Sequence, residues 1–279
     1  MSTTPVTFNA PNAGPHALRA LRAVVGRELQ RFVRQPSRLG SALVRPLLWL
    51  VVFTAGFHNV FGVSIVEPYD TYIEYKVYML PGLLGMVALF NGMQSSLSMV
   101  YDREMGVMRL LLTAPLPRGL LLGFKLLGAA VLSLVQMGVF VAVAWLFGVT
   151  LSWAVLPGLF LAMALSALML AALGLVLSVH VRQLENFAGT MNFVIFPMFF
   201  ISSALYPLWK LEESGAWWIH ALAQWNPFTH AVEAMRFASV GQWHSGSAAV
   251  VLGCMAVFFV LALWGYDPQR GWMKQKGAA

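Results

Sequence analysis

Side chains that could carry out catalysis are few in this chain, and they are widely spaced. The stretch most like a phosphate-binding loop, GLLLGFK at 119–125, lacks the adjacent Gly-Lys pair and the hydroxyl residue that would hold Mg²⁺. Zinc-binding HxxH or HExxH spacing does not occur among the six histidines, which are His16, His58, His180, His220, His230 and His244. We therefore predict no catalytic site, no metal site and no cofactor bound by this chain.

Polar side chains are also scarce inside the apolar stretches. The amides at depth are Asn91, Gln94, Gln136 and Asn192, and ionisable groups are nearly missing there. Carriers that are coupled to protons or ions place such groups near the middle of the membrane. The sequence thus argues against a carrier driven by a proton gradient. Each amide either forms a hydrogen bond between helices or contacts a substrate, and both interpretations stay open.

The elements that must position these residues are membrane spans. The 279 residues are 59% hydrophobic and 10% charged, whereas a soluble domain carries about 25% charged residues. A bilayer core of about 30 Å requires roughly 20 apolar residues per helix. Stretches of that kind fall at 43–62, 78–100, 126–150, 154–178, 187–208 and 247–266. We predict an all-α integral membrane protein with six transmembrane helices in a single domain, 1–279.

The distribution of charge predicts the orientation of these spans. Fifteen of the 18 basic residues lie in the first 45 residues, in the 101–125 loop, in the 179–186 turn or in the C-terminal tail. Because basic loops stay on the cytoplasmic side, both termini are predicted to be cytoplasmic. The net charge of +7 is explained by this topology. Nucleic-acid binding is not predicted, since no soluble basic domain is present.

Two further segments are predicted to lie at the membrane surface. In the first, 17–36, Leu21 and Val25 share one helical face while Arg27 lies opposite, which is typical of an amphipathic interface helix. It serves either as an orientation anchor or in gating and partner contact. The second, 209–240, is rich in tryptophan and is predicted to form short outer-face helices. These form an exit gate, or they anchor the protein as an aromatic belt.

The loop at 101–125, YDREMGVMRLLLTAPLPRGLLLGFK, is too elaborate for a simple connector. Asp102 and Glu104 suit the positive end of a helix dipole. An apolar face with Met108 follows, and Pro115 ends the segment. We predict a short cytoplasmic helix whose apolar face fits a groove in a partner. An interfacial turn without a partner is the alternative.

The string DREMGVMRLLLTAPLPR at 102–118 resembles the signature of the permease subunits of ATP-binding-cassette exporters of the second class, which export drugs, nodulation factors and polysaccharides. The chain departs from the family pattern at two positions. Arg109 stands where many members have a second glutamate. The family pattern closes with an adjacent Gly-Lys pair before the third span, whereas here Phe124 separates Gly123 from Lys125. The residues that match are Glu104, Gly106, Leu111, Leu112, Pro115 and Arg118.

A second stretch, within 189–236, agrees with the same family. It resembles the family's series of Asn-Phe, Phe-Pro, Phe-Phe-x-Ser and aromatic-Pro pairs, followed by Asn-Pro and a closing Arg. The matching residues are Asn192, Phe193, Phe196, Pro197, Phe199, Phe200, Ser202, Tyr206, Pro207, Asn226, Pro227 and Arg236.

The resemblance implies a half-transporter in a bacterial inner membrane. It would dimerise with a second permease copy, as a homodimer, and bind two copies of an ABC ATPase that holds the ATP and Mg. The implied ATPase-coupling residues are Asp102, Arg103, Glu104, Gly106, Met108, Arg109, Leu111, Leu112, Pro115 and Arg118. The implied translocation path or gate contains Asn91, Gln94, Asn192, Phe196, Pro197, Phe200, Tyr206, Asn226 and Pro227. A membrane scaffold or assembly subunit without a transport path is the alternative, and an enzyme is not expected.

Overall fold

The computed structural model describes residues 13–34, 40, 44–52, 67–104, 118–181 and 183–265, and its regular elements there are helices. The predicted all-α fold is confirmed over these residues. A 3-10 turn, Trp153–Val155, precedes the fifth helix. The helices are α1 (Ala13–Val33), α2 (44–52), α3 (Tyr75–Glu104), α4 (Arg118–Leu146), α5 (Leu156–His180), α6 (Leu184–Phe200), α7 (Trp209–Glu213), α8 (Trp217–Trp225), α9 (Pro227–Ser239) and α10 (Ser245–Gly265).

Four stretches in the described part of the chain are long and apolar enough to cross a membrane. They are Tyr75–Tyr101, Gly119–Leu146, Trp153–His180 and Ser245–Gly265. The first predicted span is described only at 44–52, where it is helical. The predicted count of six spans therefore stays a prediction.

Two predicted spans have different bounds in the structure. The span predicted at 126–150 begins at Arg118 and ends at Leu146, because Gly148 adopts a positive φ of 82° in the turn that follows. Since 118–125 is helical, it belongs to this span and not to the preceding loop. The span predicted at 187–208 is α6, which has 17 residues and ends at Phe200. The hydroxyl of Ser202 donates to the Phe199 carbonyl at 2.6 Å, within the turn that ends the helix.

The centre of the bundle is the crossing of α3 and α5, where the two backbones touch. A Cβ atom built on Gly174 of α5 would lie 2.7 Å from the carbonyl oxygen of Gly92 on α3 and 2.5 Å from the hydroxyl of Ser96. No side chain fits at that distance, so glycine is required. α4 packs on both helices, and α1 packs on α4. α9 packs against α3, α5 and α10.

The segment predicted as an interface helix, 17–36, is helical as α1, Ala13–Val33. Its position at the membrane surface stays a prediction. Leu21, Val25 and Leu29 are half-buried, while Arg22 and Arg27 are exposed. The predicted short helices between the fifth and sixth spans correspond to α7, α8 and α9. However, α9 is largely buried in the bundle, with Phe228 and Met235 fully covered. It is thus an integral part of the core.

Candidate functional site

The predicted coupling segment, 101–118, includes the last residues of α3 and the first residue of α4. Helix α3 continues without interruption to Glu104. Asp102 and Glu104 therefore lie in the last turn of a spanning helix, and the prediction that they begin a new helix is wrong. Arg118 is the first residue of α4. Arg103 also lies in the last turn of α3. The other residues predicted for coupling lie outside the described residues: Gly106, Met108, Arg109, Leu111, Leu112 and Pro115.

Asn91, predicted for the path, connects α3 to α4. It is 5% exposed, and its amide nitrogen donates to the Ser133 hydroxyl at 2.7 Å and to the Ala129 carbonyl at 3.3 Å. This is the interhelical hydrogen bond that the sequence left open as one of two roles. Gln94, one turn further along α3, lines a small cavity beside it together with Gln136 of α4.

A second group of predicted path residues lies on the outward face of α6. Asn192 and Pro197 are exposed, and Phe196 and Phe200 are stacked with ring centroids 6.2 Å apart. The indole of Trp49, from α2, lies 5.9 Å from the Phe200 ring. α2 and α6 thus form one aromatic surface. In the described part of the chain, no hydrogen bond or ring contact joins this group to Asn91.

A third group, at Asn226, fastens the end of α6 to the start of α9. The Asn226 amide nitrogen donates to the carbonyls of Met198 at 2.8 Å and Ile201 at 2.6 Å. Its amide oxygen accepts from the backbone N–H of Phe228 at 3.0 Å, which caps α9. Pro227 then occupies the first helical turn, where its missing N–H costs nothing.

The predicted path residue Tyr206 closes the turn between α6 and α7. Its hydroxyl donates to the Phe200 carbonyl, so it satisfies one of the carbonyls that the end of α6 leaves without an intrahelical partner. The predicted gate residues at Tyr206 and Asn226 therefore share one structural role. They fix the chain where α6 stops and α9 enters the bundle.

The sequence did not predict a role for the ion pair at the centre of this joint. Arg236 was counted as an outer-side charge, yet it is 2% exposed. Its guanidinium pairs with Glu233, donates to the Ser203 carbonyl at 2.6 Å and lies 4.1 Å from the centre of the Tyr78 ring. The i,i+3 spacing of Glu233 and Arg236 within an apolar helix is the signal that could have revealed it.

Two tyrosines of α3 attach to the same turn. The hydroxyl of Tyr78 donates to the Ser203 carbonyl at 3.0 Å, and that of Tyr75 donates to the Leu205 carbonyl at 2.5 Å. Tyr69 lies beside them outside the span. Burial raises the pKa of Tyr69 above its ordinary value, while the charge of Arg236 acts in the opposite direction. This tyrosine therefore stays neutral at physiological pH.

The tryptophans of α8 face outward, with Trp217 at 72% and Trp225 at 87% exposure. This position fits the aromatic belt and the gate equally well. Within the described ranges, no group of three or more His, Cys, Asp or Glu side chains could hold a metal ion.

Over the described residues the fold is helical, and four stretches are long and apolar enough to cross a bilayer. These features are typical of a polytopic membrane protein. The model of the ABC-2 type transporter family matches residues 19–239, which is most of the chain. The protein therefore belongs to the ABC-2 type transporter permease family. Members of this family are membrane subunits of ABC transporters and not catalytic subunits.

Individual relatives agree with this assignment. The chain is 30% identical to a putative transport permease, ycf38, of Cyanophora paradoxa, over 86% of this chain and 81% of the relative. It is 26% identical to the daunorubicin resistance ABC transporter permease DrrB1 of Streptomyces coeruleorubidus, over 94% of both. It is 24% identical to the inner membrane transport permease YadH of Escherichia coli K12, over 90% of this chain and 95% of the relative.

Proposed function

We propose that this protein is the membrane subunit of an ATP-driven exporter, and that two separate ATPase subunits drive it through the segment 101–118. One observation carries the proposal: in a chain of this family, α3 ends at Glu104 and α4 begins at Arg118, so the segment connects these two helices. The two helices pack together and are joined by the Asn91–Ser133 hydrogen bond. A displacement of the segment would therefore move two spans at once.

The coupling would be mechanical. Without a Walker site of its own, the chain must obtain work from a partner that holds the ATP and Mg. A partner can shift the equilibrium between two permease conformations only if it contacts them differently. Apart from Arg109, the residues at 105–112, MGVMRLLL, carry no charge. Their methionine and leucine side chains supply an apolar face that could bind the ATPase in one nucleotide state and release it in the other.

We propose a homodimer that uses the outward face of α6. Asn192 is exposed there, beside Phe193 at 79% exposure, and lies about 12 Å along the helix from Leu184. Hydrocarbon offers no hydrogen-bond partner to such an amide. A second copy that places its own α6 opposite would supply one, and the path would run between the two faces.

The proposed location is a bacterial inner membrane with both termini in the cytoplasm. The positive-inside distribution supports that orientation, and YadH carries the inner membrane in its name. The daunorubicin resistance in the name of DrrB1 is in keeping with export as the direction. The comparisons do not favour a scaffold without a path.

Reconstitution with its ATPase tests the proposal. Purified protein should bind the ATPase subunit, stimulate ATP hydrolysis and support ATP-dependent flux in proteoliposomes. Met108→Asp places a charge on the apolar face of the segment and should abolish both binding and flux. Ser214→Asp, at an exposed position after α7, is the matched control and should change neither. If Met108→Asp behaves like the control, the segment is not the coupling element.

A further inference from the structure

A stripe of polar residues runs along one face of α3. Asn91, Gln94, Ser95 and Ser98 are spaced i, i+3, i+4 and i+7, which places them on one side of the helix. They lie within the span Tyr75–Tyr101. Because the hydrocarbon core cannot satisfy polar groups, such a stripe needs hydrogen-bond partners from the protein or from a ligand.

The stripe lines a cavity of about 20 Å³, which is closed by Glu28 of α1 and by Leu132 and Gln136 of α4. A second cavity of about 20 Å³ shares Glu28, Ser95, Ser98 and Leu132 with the first, and it extends to Lys125. Each holds a group about as large as one water molecule. The two form a polar crevice between α1, α3 and α4. The crevice is separate from the exposed α6 face and from the Arg236 joint.

Glu28 lies beside α4, with 21% of its side chain exposed. A Cβ atom built on Gly128 would lie 3.6 Å from Cγ of Glu28, and Gly128 is nine residues into the span that begins at Gly119, or about 13 Å along the helix. Among the described residues, the ion-pair partner of Glu28 is the adjacent Arg27, at 3.4 Å with 43% of its side chain exposed. Such an exposed pair contributes little, about 0–1 kcal/mol.

The first cavity is lined, in the described part of the chain, by the Glu28 carboxylate and by no basic side chain, whereas Lys125 lines only the second. The amide nitrogen of Asn91 is already bonded to Ser133 and Ala129, and the Ser98 hydroxyl donates to the Ser95 carbonyl at 2.6 Å. Gln136 is 2% exposed, and its amide oxygen has no hydrogen-bond partner among the described residues. A buried acceptor beside a carboxylate favours a ligand that carries donors and positive charge.

We propose that the first cavity, the one lined by Gln136, binds the primary ammonium group of a membrane-soluble molecule, with Glu28 as its counter-ion and the Gln136 amide oxygen as a second acceptor. An ammonium head is about the size of water and donates three hydrogen bonds, which fits both the volume and the acceptors. The group could belong to an amphiphilic cargo or to a phosphatidylethanolamine headgroup. The site does not depend on ATPase coupling, so the two proposals stand or fall separately.

Binding of dodecylamine to the full-length protein in phosphatidylcholine nanodiscs tests the site, with uncharged dodecanol as the comparison. Dodecylamine should bind saturably and about tenfold or more tightly than dodecanol, as expected for charge-assisted hydrogen bonds. Glu28→Gln and Gln136→Leu should each lower its affinity about tenfold. Glu185→Gln, an exposed carboxylate at the start of α6, is the control and should bind as the wild type does.

Two controls separate lost binding from lost folding. Thermal unfolding of each variant shows whether it is folded. The charge-conserving Glu28→Asp should retain part of the preference for dodecylamine over dodecanol. Adding phosphatidylethanolamine to the nanodiscs identifies the source: competition indicates a lipid headgroup, and unchanged binding indicates a cargo amine. Equal affinity for dodecylamine and dodecanol would overturn the proposal and leave an ordered water as the occupant. Wild-type affinity in folded Glu28→Gln would overturn it as well.

Discussion

Replacing Arg236 with methionine is the most informative perturbation of the joint between α6 and α9. Methionine keeps much of the apolar volume but removes the ion pair with Glu233, the bond to the Ser203 carbonyl and the stacking on Tyr78. The Glu233 carboxylate would be left without its partner in a site where its side chain is 21% exposed. We expect a large loss of stability because an unpaired buried charge is costly.

The size of the loss follows from the burial of each partner. Removing one member of a buried ion pair costs about 3–5 kcal/mol. Since Glu233 retains some exposure, we expect the lower end of that range, about 3 kcal/mol. For a chain of roughly this size, 1 kcal/mol corresponds to about 2–4 °C in Tm, so Tm should fall by roughly 6–12 °C.

The fall in Tm is measured by thermal unfolding of the purified protein in detergent, with the helical circular dichroism signal as the readout. The control is Lys76→Met, which breaks a pair of 2.7 Å with Glu74, whose side chain is 53% exposed against 20% for Lys76, and it should cost about 1 kcal/mol or less. Adding Glu233→Met to Arg236→Met should recover part of the loss, since no charge is then stranded. A Tm for Arg236→Met within 2 °C of the wild type, on the order of 1 kcal/mol, would refute the reasoning. A double variant no more stable than the single one would do the same.

Three further predictions address the core, the cap and the topology. Gly174→Ala should lower the free energy of unfolding by about 1–3 kcal/mol through overpacking, because its Cβ would meet the Gly92 carbonyl, and Tm should fall accordingly. An unchanged Tm would mean that α3 and α5 can move apart without cost. Asn226→Ala should destabilise by more than about 1 kcal/mol, and Asn226→Asp, which keeps the cap but loses the two donor bonds, should be intermediate in Tm. In a cysteine-free background, Ser214→Cys should react with an impermeant maleimide from outside intact cells, and Lys274→Cys only after permeabilisation; labelling of both from one side would contradict the proposed orientation.

Apolar length and composition predicted the all-helical fold well, because continuous hydrophobicity is a strong signal for a spanning helix. The ends of the helices were harder to predict. α4 includes 118–125, because GLLLGFK contains no proline that would interrupt the helix. α6 ends at Phe200, short of the predicted 208. At Phe199 and Phe200 the backbone carbonyls accept hydrogen bonds from the Ser202 and Tyr206 hydroxyls in place of bonds from the next helical turn. Such local competition is not visible in hydropathy.

The candidate site was predicted in parts. Asn226 and Tyr206 were singled out, and the structure gives them contacts at one joint. Arg236 was assigned to the outer surface because a charge count treats every arginine between spans as solvated. Its burial depends on partners more than 30 residues away, Ser203 and Tyr78. Residue types alone do not specify tertiary pairs of that kind.

Crosslinking from the segment 101–118 tests the central claim most directly. A photoreactive benzophenone attached to Met108→Cys, in a background that lacks Cys254, the chain's one cysteine, should crosslink to the ATPase subunit in the assembled complex. The yield should change when ATP is bound. The same probe at Ser214→Cys should give no ATPase adduct. An ATPase adduct from Ser214 and none from Met108 would contradict the proposal that this segment couples the permease to ATP hydrolysis.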